Sequence, residues 1–310
     1  MTSIEAVSAY LPSTVVPIEE IGERLAMDPK QVRTFRRFYG LSEVRYEPEG
    51  DLAQLMLNAA EKLTSLTGRQ SQVRYVLQAR TLQTVAPYPE NPLHEVRQAL
   101  GLEHAVSFAV TQHACASGLL AVHLAGELLA ADGDPHALAL VFAGEKAFAP
   151  TAQLIPNTTF MGEGSAAVLV GLGSGHDRLL GYATRTYGQF NAGLRMTAER
   201  AAEFEAIYQD GLAAVVLAAV ERAGIGLADV NLILPHNVNR LSWVRLCRQL
   251  GYPVDRVLLD NIAVTGHCFC ADSFVNYQTA LELERLAPGD RYLMVAVGLG
   301  ATFSAMVFEH

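Results

Sequence analysis

Two stretches of this chain run in one pattern, and that repetition constrains the fold more than any other feature. The first, TQHACASGLLAVHLAGELLAADGDPHALALVFAG, runs from Thr111 to Gly144. The second, TGHCFCADSFVNYQTALELERLAPGDRYLMVAVG, runs from Thr265 to Gly298. Each opens on Thr-x-His, continues into a helical pattern, turns on an acidic Gly/Pro segment and closes in an apolar strand ending in glycine. In both, that glycine lies 31 residues beyond the histidine (144 less 113, and 298 less 267). A further apolar strand follows each glycine, at 164–171 and 303–309. A gap-free internal register of this kind points to a duplicated α-β unit. The chain is therefore expected to divide into halves at 1–172 and 173–310, each closing in a strand pair.

Apolar runs at 105–110, 137–144, 165–171, 232–235, 291–298 and 304–309 read as buried strands. Helical patterns at 51–66, 116–131, 196–223, 240–250 and 272–286 lie between them. Alternation of this sort predicts an α/β protein with a mixed or parallel sheet. Half of the 310 residues are apolar, enough for a large core. A net charge of −9 argues against nucleic acid as the main partner. No basic and then apolar leader opens the chain, and runs such as LAAVVLAAV (212–220) fall short of the ~20 residues of a membrane span, so no membrane partner is expected. Four cysteines, at 115, 247, 268 and 270, are too few for a disulfide scaffold and suit a reducing cytoplasm.

Position alone leaves two readings of Cys115 open. It could be an inert core thiol, the usual fate of a buried cysteine. It could also be a nucleophile, because the helix it opens is apolar on nearly every face, hence central, and a helix N-terminus favours an anion. Ala116, Ser117 and Gly118 leave room for a ligand beside it. His236, in LILPHNVN, ends a strand and opens a loop, where α/β sites are commonly built; a helix-capping loop histidine is the alternative. His267 opens the second repeat's helix. If the halves are related by a twofold, it faces Cys115. The HCFC run fits poorly to zinc-ligand spacing, so no metal is expected, and Cys268, Cys270 and Cys247 read as packing residues. VGLGATF (297–303) can bring backbone N–H groups close to a ligand, and FMGEGSAAVLV (160–170) is its first-half counterpart.

Taken jointly, these segments resemble the thiolase-fold condensing enzymes, specifically the β-ketoacyl-ACP synthase III group, over essentially the whole chain. ACASG looks like the nucleophile segment of that group, FMGEGSAAVLV its F-G-D-G-A-x-A-x-x-L turn, and PHNVN its P-H-Q-A-N segment. PGDRYLMVAVGLGATFSAMVFE looks like its closing strand pair. The resemblance implies a layered αβαβα fold with Cys115 as acyl carrier and His236 as a catalytic base. Three departures stand out. Where the group has Asn, this chain has His267, in a TGHCFCA context closer to the T-G-H-x-x-G-A of synthases I and II, so the implied set is Cys-His-His. The group's CoA-stacking Trp is missing near Thr34; the one tryptophan is Trp243. Its Gly-Gly-Gly-Phe run reads Gly298-Leu299-Gly300-Ala301.

The implied reaction loads an acyl group from a thioester onto Cys115, with the oxyanion held by the N–H of Cys115 and one from the Gly298, Leu299 and Gly300 turn, at about 3 kcal/mol per donor. A malonyl-type thioester then loses CO₂ while two neutral imidazoles, His236 and His267, each donate to its carbonyl oxygen, and the carbanion attacks the acyl group. Transfer to a hydroxyl or amine is the alternative, and a non-catalytic partner subunit a further one, opposed by the retained Cys115, His236 and His267. No cofactor is implied. Arg33, Arg36 and Arg37, with Arg240, Arg245 and Arg248, are candidates for docking an acyl carrier protein or a phosphopantetheine phosphate; ordinary solvated helix faces explain any one of them as well. TVAPYPENP (84–92) resembles the group's dimer loop, which implies a homodimer. The departures point to specialised metabolism.

Overall fold

The computed structural model describes residues 1–173 and 177–310. Among these, nine strands form one sheet in the order Leu232–Leu234, Arg291–Gly298, Thr302–Glu309, Arg178–Thr186, Thr2–Tyr10, Ser165–Leu172, Leu138–Ala143, Val73–Ala79, Val106–Val110. The order is mirrored about the junction of Thr2–Tyr10 with Arg178–Thr186, except that Val106–Val110 has no counterpart among the described residues. On one side Val106–Val110 and Leu138–Ala143 run parallel to Val73–Ala79, and antiparallel pairs then lead through Ser165–Leu172 to Thr2–Tyr10. On the other, Leu232–Leu234 runs parallel to Arg291–Gly298, and antiparallel pairs lead through Thr302–Glu309 to Arg178–Thr186. The two sides meet at a single pair, Ser3 with Arg178.

Side-chain alternation then builds the layers. Ala139 and Val141 face a core that also receives Tyr292, Met294 and Ala296 from the other side of the sheet. The helices Ser117–Asp132 and Asp272–Glu282 fill that shared core through Leu119, Val122, Phe274 and Val275. Leu140 and Phe142 point the opposite way, onto the helices Leu52–Ala60 and Pro92–Ala99. Leu293, Val295 and Val297 likewise point onto the helix Ala198–Arg222. The result is the αβαβα sandwich, and its strands read as continuous apolar runs because both faces are covered.

The six strands expected from apolar runs form, with ends shifted by at most two residues. Three more were not legible. Thr2–Tyr10 and Arg178–Thr186 mix polar with apolar residues, and Val73–Ala79 carries Arg74 and Gln78. The 51–66 helix stops at Ala60, and the 272–286 helix stops at Glu282, where Glu284 turns left-handed at φ 52°. The segment Ala114–Asp132 is, by length and composition, apolar enough to cross a membrane, contrary to expectation. Here it packs between the two sides of the sheet, where an all-round apolar surface is what burial requires.

The repeat register also differs by one. Short 3₁₀ turns, Ala114–Ala116 and Phe269–Ala271, precede the two central helices, and their first residues are both left-handed, Ala114 at φ 46° and Phe269 at φ 55°. That sets the structural offset at 155 (269 less 114) rather than the 154 that aligns His113 with His267. The twin of Cys115 is Cys270. The helices approach so closely there that a Cβ on Gly118 would lie 2.7 Å from the Cys270 carbonyl oxygen, which accounts for a glycine at that place.

Candidate active site

Cys115, His236 and His267 line one cavity of about 630 Å³. All three are at most 3% exposed. Cys115 sits on the 3₁₀ turn behind the strained Ala114, which aims it at the centre of the molecule. His236 follows the strand Leu232–Leu234; its carbonyl accepts from Trp243 Nε1 at 3.0 Å, and the two rings meet edge to face. The His267 backbone is tied to the first half, donating to Phe160 O and accepting from Gly162 N, both at 3.0 Å. The two imidazole centroids are 6.1 Å apart.

The histidines are not alike. His267 Nδ1 bonds Asp272 Oδ2 at 2.5 Å, and the ring lines the same cavity as Cys115. The Asp272 carboxylate is pinned by the backbone N–H groups of Cys268 (2.7 Å) and Asn237 (2.5 Å). Burial alone would drive His267 to the neutral form, but the charges of Asp272 and Cys115 and the hydrogen bond to Asp272 outweigh it and hold its pKa up at about 10. His236 goes the other way. Burial, then the charge of His267, pulls it down to about 3. The surroundings favour the charged form at His267 and the neutral form at His236, where two neutral rings were expected. The reason is Asp272, which sits where the helix dipole also favours an anion.

A 24% identical relative, the β-ketoacyl-[acyl-carrier-protein] synthase III of Roseobacter denitrificans, aligns over 99% of this chain and 98% of its own. Residues 220–310 match the family model described as 3-oxoacyl-[acyl-carrier-protein] synthase III C terminal. The chain is a relative of the synthases III. Among solved structures, the acyltransferase ChlB3 superposes with a TM-score of 0.87 at 21% identity, covering 99% of this chain and 97% of its own. The synthase III of Aquifex aeolicus superposes at 0.84 and 19% identity, covering all of both chains. At these identities the superpositions establish the thiolase-like fold.

Within this synthase III relative, Gly298 and Leu299 line the cavity while Gly300, at φ 116°, turns the chain just beyond. A Cβ on Gly298 would stand 1.9 Å from the His113 carbonyl oxygen, so the turn is pressed onto the residues leading into Cys115. Of the six arginines, Arg245 reaches the cavity. Arg36 is committed to Glu19 through two 2.6 Å bonds, and Arg37 stacks over Phe38. Arg240 approaches Gly40, which joins the two basic segments on one surface; Arg33 and Arg248 are exposed nearby in sequence. Cys268 and Cys270 address different backbone carbonyls, Thr265 O and Ala114 O, and burial pushes both thiols well up; Cys247 rises to about 11 for the same reason.

Four residues near these groups were not singled out from sequence. Asp272 falls five residues after His267, a spacing no regular helix would flag. Thr81 Oγ1 lies 3.5 Å from Cys115 Sγ and 3.4 Å from Cys270 Sγ. Glu145, fully buried, accepts from the N–H groups of Thr81 and Leu82, and burial lifts it to about 7. Tyr208, on the helix Ala198–Arg222, bonds His236 Nε2 at 3.1 Å.

Proposed function

We propose that this protein is an acyl-thioester condensing enzyme that carries the acyl group on Cys115. The observation that carries the reading is the convergence of Cys115, His236 and His267 on one cavity, with Asp272 behind His267. The Cys115 thiolate, facing the His267 imidazolium, attacks the thioester carbonyl. Cys115 N–H and the 298–300 turn receive the oxyanion. The donor thiolate leaves and takes a proton from solvent. A malonyl-type thioester then binds with its carbonyl oxygen toward His267. Its carboxylate leaves as CO₂, the bond electrons form an enolate, and the enolate carbon attacks the acyl carbonyl and expels the Cys115 thiolate. His267 keeps its proton throughout, so the thiolate–imidazolium pair is restored without a further proton transfer. Asp272 supports this role, because it makes His267 a charged donor at neutral pH.

Acyl transfer to a hydroxyl or amine is the second reading. It is favoured by the carboxylate on His267 Nδ1, the arrangement that orients a general base in nucleophile–histidine–carboxylate sites, and by the superposition with the acyltransferase ChlB3. Acyl carrier protein or acyl-CoA supplies the acyl group, and Arg245 with the adjoining basic surface receives the carrier. Homodimerisation is supported by the free edge of the Val106–Val110 strand, where Val106 is 58% exposed, and by Tyr88 of the 84–92 loop at 98%. The mirrored strand order supports the division at 172/173. Four free thiols agree with a reducing cytoplasm. The departures at Thr34 and Leu299 support a substrate outside housekeeping acetyl priming, in specialised metabolism.

Intact-mass analysis with a panel of acyl-CoAs and acyl carriers tests this. An adduct lost in Cys115→Ala is expected, followed by CO₂ release with a malonyl thioester. An adduct that survives Cys115→Ala overturns the site, and product formation without CO₂ selects the second reading.

A further inference from the structure

His236 does not reach the cavity unaccompanied. Its Nδ1 faces the Val295 backbone without closing a hydrogen bond, so Nε2 is the nitrogen turned toward the substrate. That nitrogen is already taken, by the Tyr208 hydroxyl at 3.1 Å. Tyr208 lines the same cavity as Cys115. Its ring is held between Phe204 and Phe303, each centroid 5.7 Å away, on a helix pressed against Phe303 at Gly211. Among the described residues the hydroxyl bonds no other side chain. Burial, with the Cys115 charge, pushes the phenol above its usual range, so it keeps its proton at working pH.

We propose that Tyr208 is a catalytic residue interposed between His236 and the acceptor, so that its hydroxyl, not the imidazole, touches the reacting oxygen. This rests on the condensing reading above. A hydroxyl both donates and accepts. With the His236 proton on Nε2, the imidazole donates to the phenol oxygen, and the phenol O–H donates to the enolate oxygen opposite His267. Each bond in such a chain polarises the next. When no acceptor is bound, the phenol donates to Nε2, the proton lies on Nδ1 toward Val295, and no buried O–H is orphaned. The neutral His236 suits both states. The site then stabilises the developing oxyanion with one cationic and one phenolic donor, and His236 works through Tyr208.

The test separates the two half-reactions. In Tyr208→Phe, acyl loading on Cys115 by intact mass should stay within about twofold of wild type, while single-turnover transfer to the malonyl thioester falls on the order of 100-fold, the usual cost of one oxyanion donor. His236→Gln should lose a similar factor, and the double variant little more than either, because the residues act in series. Placing 3-fluorotyrosine at 208 supplies a readout that packing cannot move: at a fixed pH the rate of the second step should change with the more acidic phenol while acyl loading and the thermal midpoint stay unchanged. A second step in Tyr208→Phe as fast as wild type, or additive losses in the double variant, overturns the assignment of Tyr208 alone. Failure of wild type to form any Cys115 adduct overturns the condensing reading, and this one with it.

Discussion

Asp272→Asn removes the charge that distinguishes the two histidines. Asn keeps the size of the side chain and an oxygen that can accept from the Cys268 N–H, now 2.7 Å from Oδ1. It removes the negative charge beside His267 Nδ1, the largest of the influences that raise this ring, together with the Oδ2 acceptor that His267 Nδ1 shares with the Asn237 N–H. The gap between an ordinary imidazole near 6.5 and about 10 is about 5 kcal/mol in favour of the charged form. Asp272 shares that effect with Cys115, so its loss removes at least half, about 2–3 kcal/mol, while the burial that opposes protonation stays. At 1.36 kcal/mol per tenfold, the balance between the charged and the neutral His267 ring should shift roughly 30- to 150-fold toward the neutral one, so the ring loses its proton at a lower pH. The assay is the pseudo-first-order rate of Cys115 alkylation by iodoacetamide between pH 5 and 10, read by intact mass, with acyl loading measured in parallel. Wild type should hold its rate across neutral pH. In Asp272→Asn the plateau should narrow from its alkaline side in both profiles, because His267 gives up its proton at a lower pH. A variant with the wild-type thermal midpoint, rate and profile would refute the claim that Asp272 governs the charge of His267.

Other expectations follow from the same geometry. The two histidines bend the stability curve in opposite directions: the folded His236, near 3, binds its proton less readily than the unfolded ring, so stability rises with pH from about 3 to 6.5. The folded His267, near 10, binds its proton more tightly, so its contribution is full below 6.5 and fades toward 10. Chemical denaturation against pH should show His236→Gln flattening the acid limb and leaving the alkaline one. At pH 8, limited iodoacetamide should label Cys115 ahead of Cys247, Cys268 and Cys270, whose thiols burial keeps protonated; peptide mapping that finds equal labelling contradicts this. Gly298→Ala puts a Cβ 1.9 Å from His113 O, and calorimetry should record a loss of about 3 kcal/mol together with slower acyl loading. Arg245→Glu should lower kcat/KM for an acyl carrier about tenfold at low salt, with the difference closing as ionic strength rises.

Sequence reading reached the parts of this molecule that local chemistry writes down. Strands buried on both faces announce themselves as apolar runs, so Arg291–Gly298 and Ser165–Leu172 were legible to within a residue. Thr2–Tyr10 was not, because Ser3, Glu5 and Ser8 interrupt the pattern, although the strand lies at the centre of the sheet. Cys115, His236 and His267 each stand at the end of an element, where a motif can mark them. Asp272 and Tyr208 act through distances that close only after folding: one carboxylate held by N–H groups from two segments, and one hydroxyl carried in from a helix with no motif of its own.

The repeat explains why one thiol and not its twin suits chemistry. Cys115 and Cys270 occupy the same place on matching 3₁₀ turns, each behind a left-handed residue, and both lie against Thr81 Oγ1. Backbone conformation is therefore not what separates them. The difference lies in what each faces. Cys270 Sγ donates to the Ala114 carbonyl at 3.2 Å and is buried near Glu145, an environment that opposes a thiolate. Cys115 opens onto the cavity and meets His267, whose charge Asp272 sustains. By the same 155-residue offset, Asp272 stands where the first half has Ser117. The second half's carboxylate thus faces the first half's thiol through His267, while the reverse arrangement has Ser117 in place of the carboxylate and Gln112 in place of the histidine. Ser117→Asp should not by itself activate Cys270, because the imidazole that would transmit the charge is missing; alkylation of Cys270 in that variant would show that a carboxylate at the helix start is enough, and would leave His267 without the mediating role assigned to it.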